Sequence, residues 1–523
     1  MFTNLRQWLI RDRSSPRLAL VLQMASRAAS SGMAFVWSRL LLGAMGKEIN
    51  GCFIEFLNLA SFGGLGDLGM GGAINYRLVP LLAPGKEREA GRFLTVARGL
   101  FLVLGLGAAV TFFLLEPGFR RSFGSVTGLG STAALFAVGA LAVAALIFQS
   151  YSANVNYACG NLVWPVLPAF LLAQMGLAGH WLVARSGGPL WLQYTPYVVV
   201  AGANCFLAQS FVRYSHPGLG TWWPLRFDPR VSLGLLESSA WVCLCSLGNK
   251  IFVSTDAILV GRGFGHDQVP GYTYNYKACE LALFVATTTS YVAMPKIARW
   301  LASPAPEDRD RARLETRRLN QFQSLFGAFA ALAYLAGNGW FLHVWWWHAK
   351  ETITEAPLLL QTAFALNLVV STCGDATIQV TGRTGPAGLR YMGIIVAAMG
   401  GLNLGLSLLA VRYHFLAGIA LATVLSQAGL SLLTAAYSCR HLRESWGRWA
   451  VFAVLLPVAL VSLAGWLRSQ LSPYTLPGAA LLGVSYTVLL ILFARLIGLT
   501  PAMLRRELAL VGGLGKRRPG GSA

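Results

Sequence analysis

Four ionisable side chains lie within two apolar stretches between residues 246 and 291. They are Lys250, Asp256, Lys277 and Glu280. A charge at the centre of a bilayer costs about 2.5–3.5 kcal/mol on insertion scales, so charges at that depth usually face a bundle interior and mark a substrate or ion pathway. Amino groups there can bind an anion, so we predict Lys250 and Lys277 as substrate contacts. Carboxylates can change protonation there, and we predict that Asp256 and Glu280 couple an ion or balance charge.

Polar residues in other apolar stretches are predicted to line the same pathway. Arg27 lies about ten residues into the first stretch, too deep for its side chain to reach the interface easily. No acidic residue lies three or four positions from it, so we predict Arg27 as a third substrate contact. Glu55 and Asp375 have no evident partner nearby in the sequence, so they come first among the predicted ion-coupling or charge-balancing carboxylates. The other polar residues predicted for the pathway are Gln23, Asn58, Asn249, Asn367 and Ser371.

Internal neutralisation is an alternative interpretation of these charges. Lys277 and Glu280 are three residues apart, so they can pair on one face of a helix. Asp256 or Glu55 could also neutralise a cation on another helix. The two interpretations differ in whether the cations remain available to an anionic ligand.

Membrane-spanning helices must position these side chains. The 523-residue chain is 55% apolar and 12% charged, with a mean hydropathy of +0.55, whereas about a quarter of the residues in soluble domains are charged. Apolar stretches of about 20 residues, the length that crosses a hydrocarbon core, recur along the chain. We therefore predict an all-α polytopic membrane protein with about 14 spans. The short alternating segments that are typical of a transmembrane barrel are not seen.

Charge distribution predicts the orientation of the spans. With both termini inside, about 29 of the 42 basic residues fall on the inner side, as the positive-inside rule requires. The net charge of +21 is thus a topology signal, and we expect no nucleic-acid partner. The eight cysteines show no metal-ligand spacing, so we predict free thiols, no metal site and no cofactor apart from H⁺ or Na⁺ coupling.

A weak internal repeat predicts two lobes. Gly43 and Gly51 are eight residues apart in the predicted first outer hairpin, and Gly263 and Gly271 repeat that spacing about 220 residues later. The pattern fits two six-helix lobes in parallel orientation followed by two further helices. The predicted boundaries are 1–230, 231–445 and 446–523.

The segments around these glycines resemble a known family. Arg39, Gly43, segment 46–51 (GKEING, ending at Gly51) and segment 65–71 (LGDLGMG, with Asp67 and Gly69) resemble the amino-terminal signature of polysaccharide-export flippases. This is the O-antigen, or Wzx-like, branch of the superfamily that includes the multidrug and toxin extrusion (MATE) transporters. Segment 259–265 (LVGRGFG), followed by Gly271, resembles the family's matching segment between the seventh and eighth spans. We expect these motif residues to determine the fold, with no ligand contact.

The resemblance implies a flippase of the bacterial cytoplasmic (inner) membrane. It would move an undecaprenyl-diphosphate-linked oligosaccharide between leaflets by alternating access, in contact with membrane lipids and other polysaccharide-assembly membrane proteins. A lipid II flippase shares the fold and a cationic pathway and stays an alternative. A MATE-type drug or cation antiporter is disfavoured by the three cations. An enzyme is not predicted, because no large outer loop or sugar-nucleotide motif is visible.

Overall fold

The computed structural model describes residues 16–82, 86–124, 126–161, 163, 166–217, 219, 228–303, 305–346, 353–471, 473 and 475–497. Within these ranges the chain forms sixteen α-helices and no strand. The first eight are α1 (Pro16–Gly63), α2 (Met70–Leu78), α3 (Glu87–Phe113), α4 (Glu116–Gly124), α5 (Thr132–Ala158), α6 (Val166–Arg185), α7 (Leu190–Ser215) and α8 (Pro229–Phe264). The others are α9 (Gln268–Ala302), α10 (Pro306–Trp345), α11 (Leu358–Thr381), α12 (Pro386–Arg412), α13 (Leu416–Leu442), α14 (Trp446–Ala450), α15 (Leu456–Gln470) and α16 (Leu476–Leu496), with a π-helical turn, Val451–Leu455, between α14 and α15.

Length and composition make the chain a multi-pass membrane protein. Eleven helical segments within the described ranges are long and apolar enough to cross a membrane, which confirms the all-α polytopic prediction. The first, second and eighth predicted spans are also helical, in α1 and α9, but fall outside those eleven. The polar residues of α9 lower its hydropathy.

The predicted first hairpin is a kinked helix. α1 is 48 residues long and departs from helical geometry at Gly46, where φ is 76° and ψ is 170°. A positive φ of this size is readily adopted only by glycine. Gly43 and Gly51 lie within the helical arms on either side, so Gly46 alone separates the first two predicted spans.

Backbone proximity groups the chain into two compact units. Unit 1 comprises Met1–Lys277, Gly339–Ala356 and Gly385–Ser426, and unit 2 comprises Ala278–Asn338, Pro357–Thr384 and Gln427–Ala523. The division into lobes 1–230 and 231–445 with a C-terminal helix pair stays a prediction.

In unit 1, α8 packs closely along α12. A Cβ atom added to Gly248 would lie 2.4 Å from the carbonyl oxygen of Val396, and one added to Gly400 would lie 3.0 Å from the Cα atom of Gly248. Small residues at such crossings let helix backbones approach, which drives association where lipid removes the hydrophobic driving force. α8 begins at Pro229, where the carboxylate of Asp228 accepts hydrogen bonds from the first turn.

In unit 2, α11 is the central helix, and 78% of its most apolar stretch is buried. Its Gly374 faces Ser431 of α13, and its Thr372 faces Gly327 of α10, both at separations that leave no room for an added Cβ atom. The polar residues of α11 are therefore held in the interior of this unit.

Candidate functional site

Lys250 lies on α8 and is half-buried. It makes no hydrogen bond or ion pair with any residue that the structure describes. The two acids that could have neutralised it, Asp256 and Glu55, are hydrogen-bonded elsewhere. The Lys250 amino group is therefore available to an anionic ligand, as far as the described residues show.

Asp256 lies six residues further along α8, about 9 Å along the axis and about 120° around it. Its Oδ2 atom accepts hydrogen bonds from the Tyr272 hydroxyl at 3.0 Å and from the Thr423 hydroxyl at 3.2 Å. Thr423 Oγ1 also lies 3.1 Å from Asn403 Oδ1. We name these four residues the Asp256 cluster; α8, α9, α12 and α13 each supply one of them.

Several buried polar atoms at or near this cluster lack a partner within the described ranges. They are Asp256 Oδ1, Asn403 Nδ2 and the Ser407 hydroxyl, which lies one helical turn beyond Asn403 on α12. Asn403 and Ser407 are fully buried. An unpaired buried polar atom costs about 1–3 kcal/mol, so an ion or a water molecule bound there would lower the free energy of this region. The carboxylate, amide and hydroxyl oxygen atoms of the cluster suit a hard cation or a proton, whereas the Asn403 Nδ2 donor suits the oxygen of a water molecule.

Glu55 is fully buried on the second arm of α1 and is hydrogen-bonded to His266 Nδ1. His266 belongs to the three-residue turn between α8 and α9. We call these two residues the Glu55–His266 pair. Sequence inspection found no partner for Glu55, because His266 is 211 positions away.

The short helix α4 closes over the other side of the imidazole. His266 Nε2 lies 3.0 Å from the Ser122 hydroxyl and 3.2 Å from the Ser122 carbonyl oxygen. The Arg262 guanidinium sits 4.0 Å above the Phe119 ring centre, a cation–π contact that also holds α4 against the end of α8.

Burial lowers the pKa of His266, but the hydrogen bond and negative charge of Glu55 outweigh it and raise that pKa above its usual range. The imidazole at this turn is therefore stabilised in its protonated form. The imidazole therefore loses its proton at a higher pH than an isolated histidine would.

Two glycines make room for the pair. A Cβ atom on Gly51 would lie 1.8 Å from the carbonyl oxygen of His266, and one on Gly261 would lie 1.8 Å from Glu55 Oε1. Gly51 and segment 259–265 belong to the motifs identified in the sequence, so their glycines are explained by close packing at this point. Gly43 and Gly271 have no atom within 4 Å of an added Cβ atom.

Lys277 and Glu280 are both half-buried on α9 and both take part in interactions. The alternative in which they neutralise each other therefore stays open.

The two asparagines predicted for the pathway on α1 and α8 lie in different surroundings. Asn249 is exposed, and Asn58 donates to the Ile54 carbonyl of its own helix at 2.9 Å.

Asp375 is buried in unit 2, where Gln323 Nε2 of α10 lies 3.1 Å from its Oδ2 atom. Gln323 also donates to the Ser290 hydroxyl at 2.8 Å. One turn earlier on α11, the Ser371 hydroxyl donates to Asn367 Oδ1 at 3.2 Å. Asp375, Ser371 and Asn367 thus each have a polar neighbour within unit 2.

The remaining predicted residues divide into two groups. The side chains of Gln23 and Arg27 lie outside the described residues, so their predicted roles stay predictions. Asp67 holds the turn after α1: its Oδ1 atom accepts from the Gly69 amide at 2.8 Å, and its Oδ2 atom accepts from Ser150 at 2.7 Å. Gly69 has a φ of 72° and lies against α8. Arg39 is half-buried in α1 and takes part in an interaction.

Sequence reasoning missed the partners of the predicted acids. His266 directly follows the motif segment 259–265, but its place in a turn gave no sign of a role at bilayer depth. Asn403 and Ser407 are four residues apart in an apolar stretch, the same signal that Asn367 and Ser371 give. Thr423 carried no distinguishing signal.

No family model and no curated protein matches the sequence. The fold, in contrast, is similar to that of solved transporters. The structure described as lipid II flippase MurJ in an inward closed conformation aligns with 93% of this chain and 99% of its own, with a TM-score of 0.66 and 13% identity. An inward-facing multidrug resistance MATE family transporter of the MOP superfamily aligns over 78% of this chain and 94% of its own, with a TM-score of 0.60 and 12% identity.

A further MATE structure, in complex with MaD3S, covers 83% of this chain and 95% of its own, with a TM-score of 0.53 and 14% identity. Identities this low show the fold alone. The structures are named as transporters or a flippase and not as enzymes. The chain is a multi-pass membrane protein with the fold that the lipid II flippase MurJ and the MATE transporters of the MOP superfamily share.

Proposed function

We propose that this protein is a flippase that moves an undecaprenyl-diphosphate-linked oligosaccharide, an O-antigen or exopolysaccharide repeat unit, across the bacterial cytoplasmic membrane by alternating access. The observation that carries the proposal is Lys250, a half-buried lysine on a candidate membrane span with no acidic partner among the described residues. Such a cation is costly unless a ligand or water compensates it. A diphosphate is a ligand of the right charge.

The fold supports the same class of function. One of the similar structures is named as a lipid II flippase, that is, a flippase for a lipid. The resemblance of segments 46–51 and 65–71 to the polysaccharide-export branch favours an oligosaccharide-linked lipid over lipid II. A lipid II-type flippase and a MATE-type drug or cation antiporter are the competing functions.

The coupling ion is proposed to bind at the Asp256 cluster. Thr423 and Asn403 supply further oxygen atoms beside Asp256 from two other helices, so its carboxylate lies among several possible ligands of a cation. Glu55 and Asp375 are the other candidates; Glu55 pairs with His266, and Asp375 lies beside Gln323. Transport measured under a proton gradient and under a sodium gradient distinguishes H⁺ from Na⁺ as the coupling ion.

The test is translocation in liposomes loaded with fluorescent undecaprenyl-diphosphate oligosaccharide, with lipid II and a cationic dye as parallel substrates. We expect Lys250→Ala to reduce oligosaccharide translocation by about tenfold or more, which corresponds to the loss of a charge-assisted contact, and Lys250→Arg to retain part of it. Lys86→Ala, an exposed lysine at the start of α3, is the matched control. Unchanged transport in Lys250→Ala would overturn the anion pathway, and transport of the dye alone would establish the antiporter.

A further inference from the structure

A basic pocket lies in unit 2, apart from the clusters described above. It encloses about 700 Å³, including the space at its open mouth. Its walls come from the start of α10, the end of α13, α14 with the following π-helical turn, and the end of α16, and Thr377 of α11 also lines it. All four helix ends are predicted by the charge distribution to face the inner side of the membrane.

Cations dominate the rim of this basic pocket. Among the described residues, Arg313, Arg317 and Arg448 line it together with one acid, Glu444. The acidic partner of Arg313 is Asp310, 3.5 Å away on the same helix and outside the lining, with both side chains partly exposed. Arg317 forms no ion pair within the described part of the chain. The rim therefore carries an excess of positive charge.

The inner wall of the pocket has two buried polar atoms without a partner among the described residues. They are Asn320 Oδ1 and the indole nitrogen of Trp449. Asn320 is 8% exposed. The indole N–H can only donate, so it suits an acceptor oxygen of a ligand. An unpaired buried donor beside a cationic rim favours an anionic occupant.

Apolar residues form another part of the wall of the basic pocket. Leu442, Ala453 and Ile497 line the pocket next to Trp449. A hydrogen bond of 2.7 Å from Gln321 Nε2 to the Ile497 carbonyl oxygen ties the end of α16 to α10. A ligand that satisfies both surfaces must have an anionic head and an apolar part.

We propose that the basic pocket binds the phosphate-bearing headgroup of an anionic membrane phospholipid from the inner leaflet, with the phosphate at Arg313 and Arg317 and the acyl region against Leu442 and Ile497. Basic pockets between membrane helices on the cytoplasmic side are a recurrent site for such headgroups. The site is independent of the proposed transport substrate. A soluble phosphate monoester shares the anion but lacks the apolar part.

Binding of fluorescent phosphatidylglycerol to the full chain in neutral detergent tests the proposal, with unlabelled phosphatidylglycerol, phosphatidylcholine, glycerol phosphate and undecaprenyl diphosphate as competitors. Phosphatidylglycerol should compete best, and its affinity should fall as salt rises. The Arg313→Ala/Arg317→Ala variant should lose roughly tenfold or more in affinity. Arg311→Ala, which removes an exposed arginine of α10 that does not line the pocket, is the matched control.

Trp449→Phe provides a second, conservative variant that keeps an aromatic ring and removes the N–H donor. It should weaken phosphatidylglycerol binding by about fivefold without changing the thermal midpoint of the lipid-free protein. Equal competition by phosphatidylcholine, or unchanged affinity in both variants, would overturn the proposal. Equal competition by glycerol phosphate would assign the pocket to a soluble anion, and stronger competition by undecaprenyl diphosphate would assign it to the transport substrate; each of these results also overturns it.

Discussion

The carboxylate of Glu55, on the second arm of α1, is hydrogen-bonded to the Nδ1 atom of His266 in the turn between α8 and α9. This single contact joins two stretches that the sequence assigns to different lobes, and both residues belong to unit 1. The charge distribution predicts that the turn lies at the outer face. The bond therefore holds the second arm of α1 against the turn between α8 and α9.

Removing one member of this pair should destabilise the protein. His266→Ala leaves the carboxylate of Glu55 buried without its partner, and breaking a buried pair in this way costs about 3 kcal/mol or more. Thermal unfolding in detergent measures the effect. The double variant Glu55→Ala/His266→Ala should be less destabilised than the sum of the single variants, and strict additivity would show that the contact contributes nothing.

The contribution of the pair should depend on pH in a defined direction. Because the pKa of His266 is raised above its unfolded value of about 6.5, the stabilisation is fully present below about pH 6.5 and is lost as the pH rises through the raised value. The difference in thermal midpoint between wild type and His266→Ala should therefore shrink above neutrality. A difference that grows with pH would contradict this assignment of the charge.

Gly51→Ala should displace the turn that carries His266. The added methyl group would meet the carbonyl oxygen of His266 at 1.8 Å, a backbone atom that cannot rotate away. Overpacking of this kind costs about 1–3 kcal/mol. Gly43→Ala, eight residues earlier in a helical arm with open space around it, is the matched control and should be neutral or stabilising by up to about 1 kcal/mol. Equal thermal midpoints in the two variants would show that the close approach does not hold.

Asp256→Asn should abolish the dependence of transport on the ion gradient. The amide keeps the size of the side chain but removes the charge that holds a cation or proton. We expect the rate of transport in liposomes to be the same with and without the ion gradient. This rate should be about tenfold or more below that of the wild type. Asp308→Asn removes an acid on α10 outside the cluster and should keep the gradient dependence. A retained gradient response in Asp256→Asn would move the coupling site to another acid.

The helices of this fold could be predicted from the sequence because long apolar stretches and inner-side arginines are local patterns. The contacts of Glu55, Asp256 and Asp375 could not be predicted, because each of these acids has a partner far away in the sequence. Thr423 is 167 positions from Asp256, and Gln323 is 52 positions from Asp375. Pairings of this kind depend on which helices pack together. α8 and α12 pack through Gly248 and Gly400, and these glycines carry no charge that would have indicated the contact.

The first hairpin shows that a spacing pattern in the sequence can be interpreted in two ways. The glycine spacing of Gly43 and Gly51 predicted a turn, but seven consecutive residues between them leave only Gly46 outside helical geometry. The repeated glycines instead provide space: Gly51 accommodates the His266 backbone, and Gly263 accommodates Val411 of α12. A spacing pattern can identify where backbones approach without distinguishing a turn from a packing contact.

The three-residue turn between α8 and α9 fixes one end of α8, because His266 is held there by Glu55. Lys250 lies sixteen residues from His266, about 24 Å along the helix axis, and Asp256 lies between them. Gly248, two residues before Lys250, packs against the backbone of Val396 on α12. The stretch of α8 that carries Lys250 and Asp256 is therefore held at both ends, so the predicted anion contact and the Asp256 cluster keep a fixed separation along one helix.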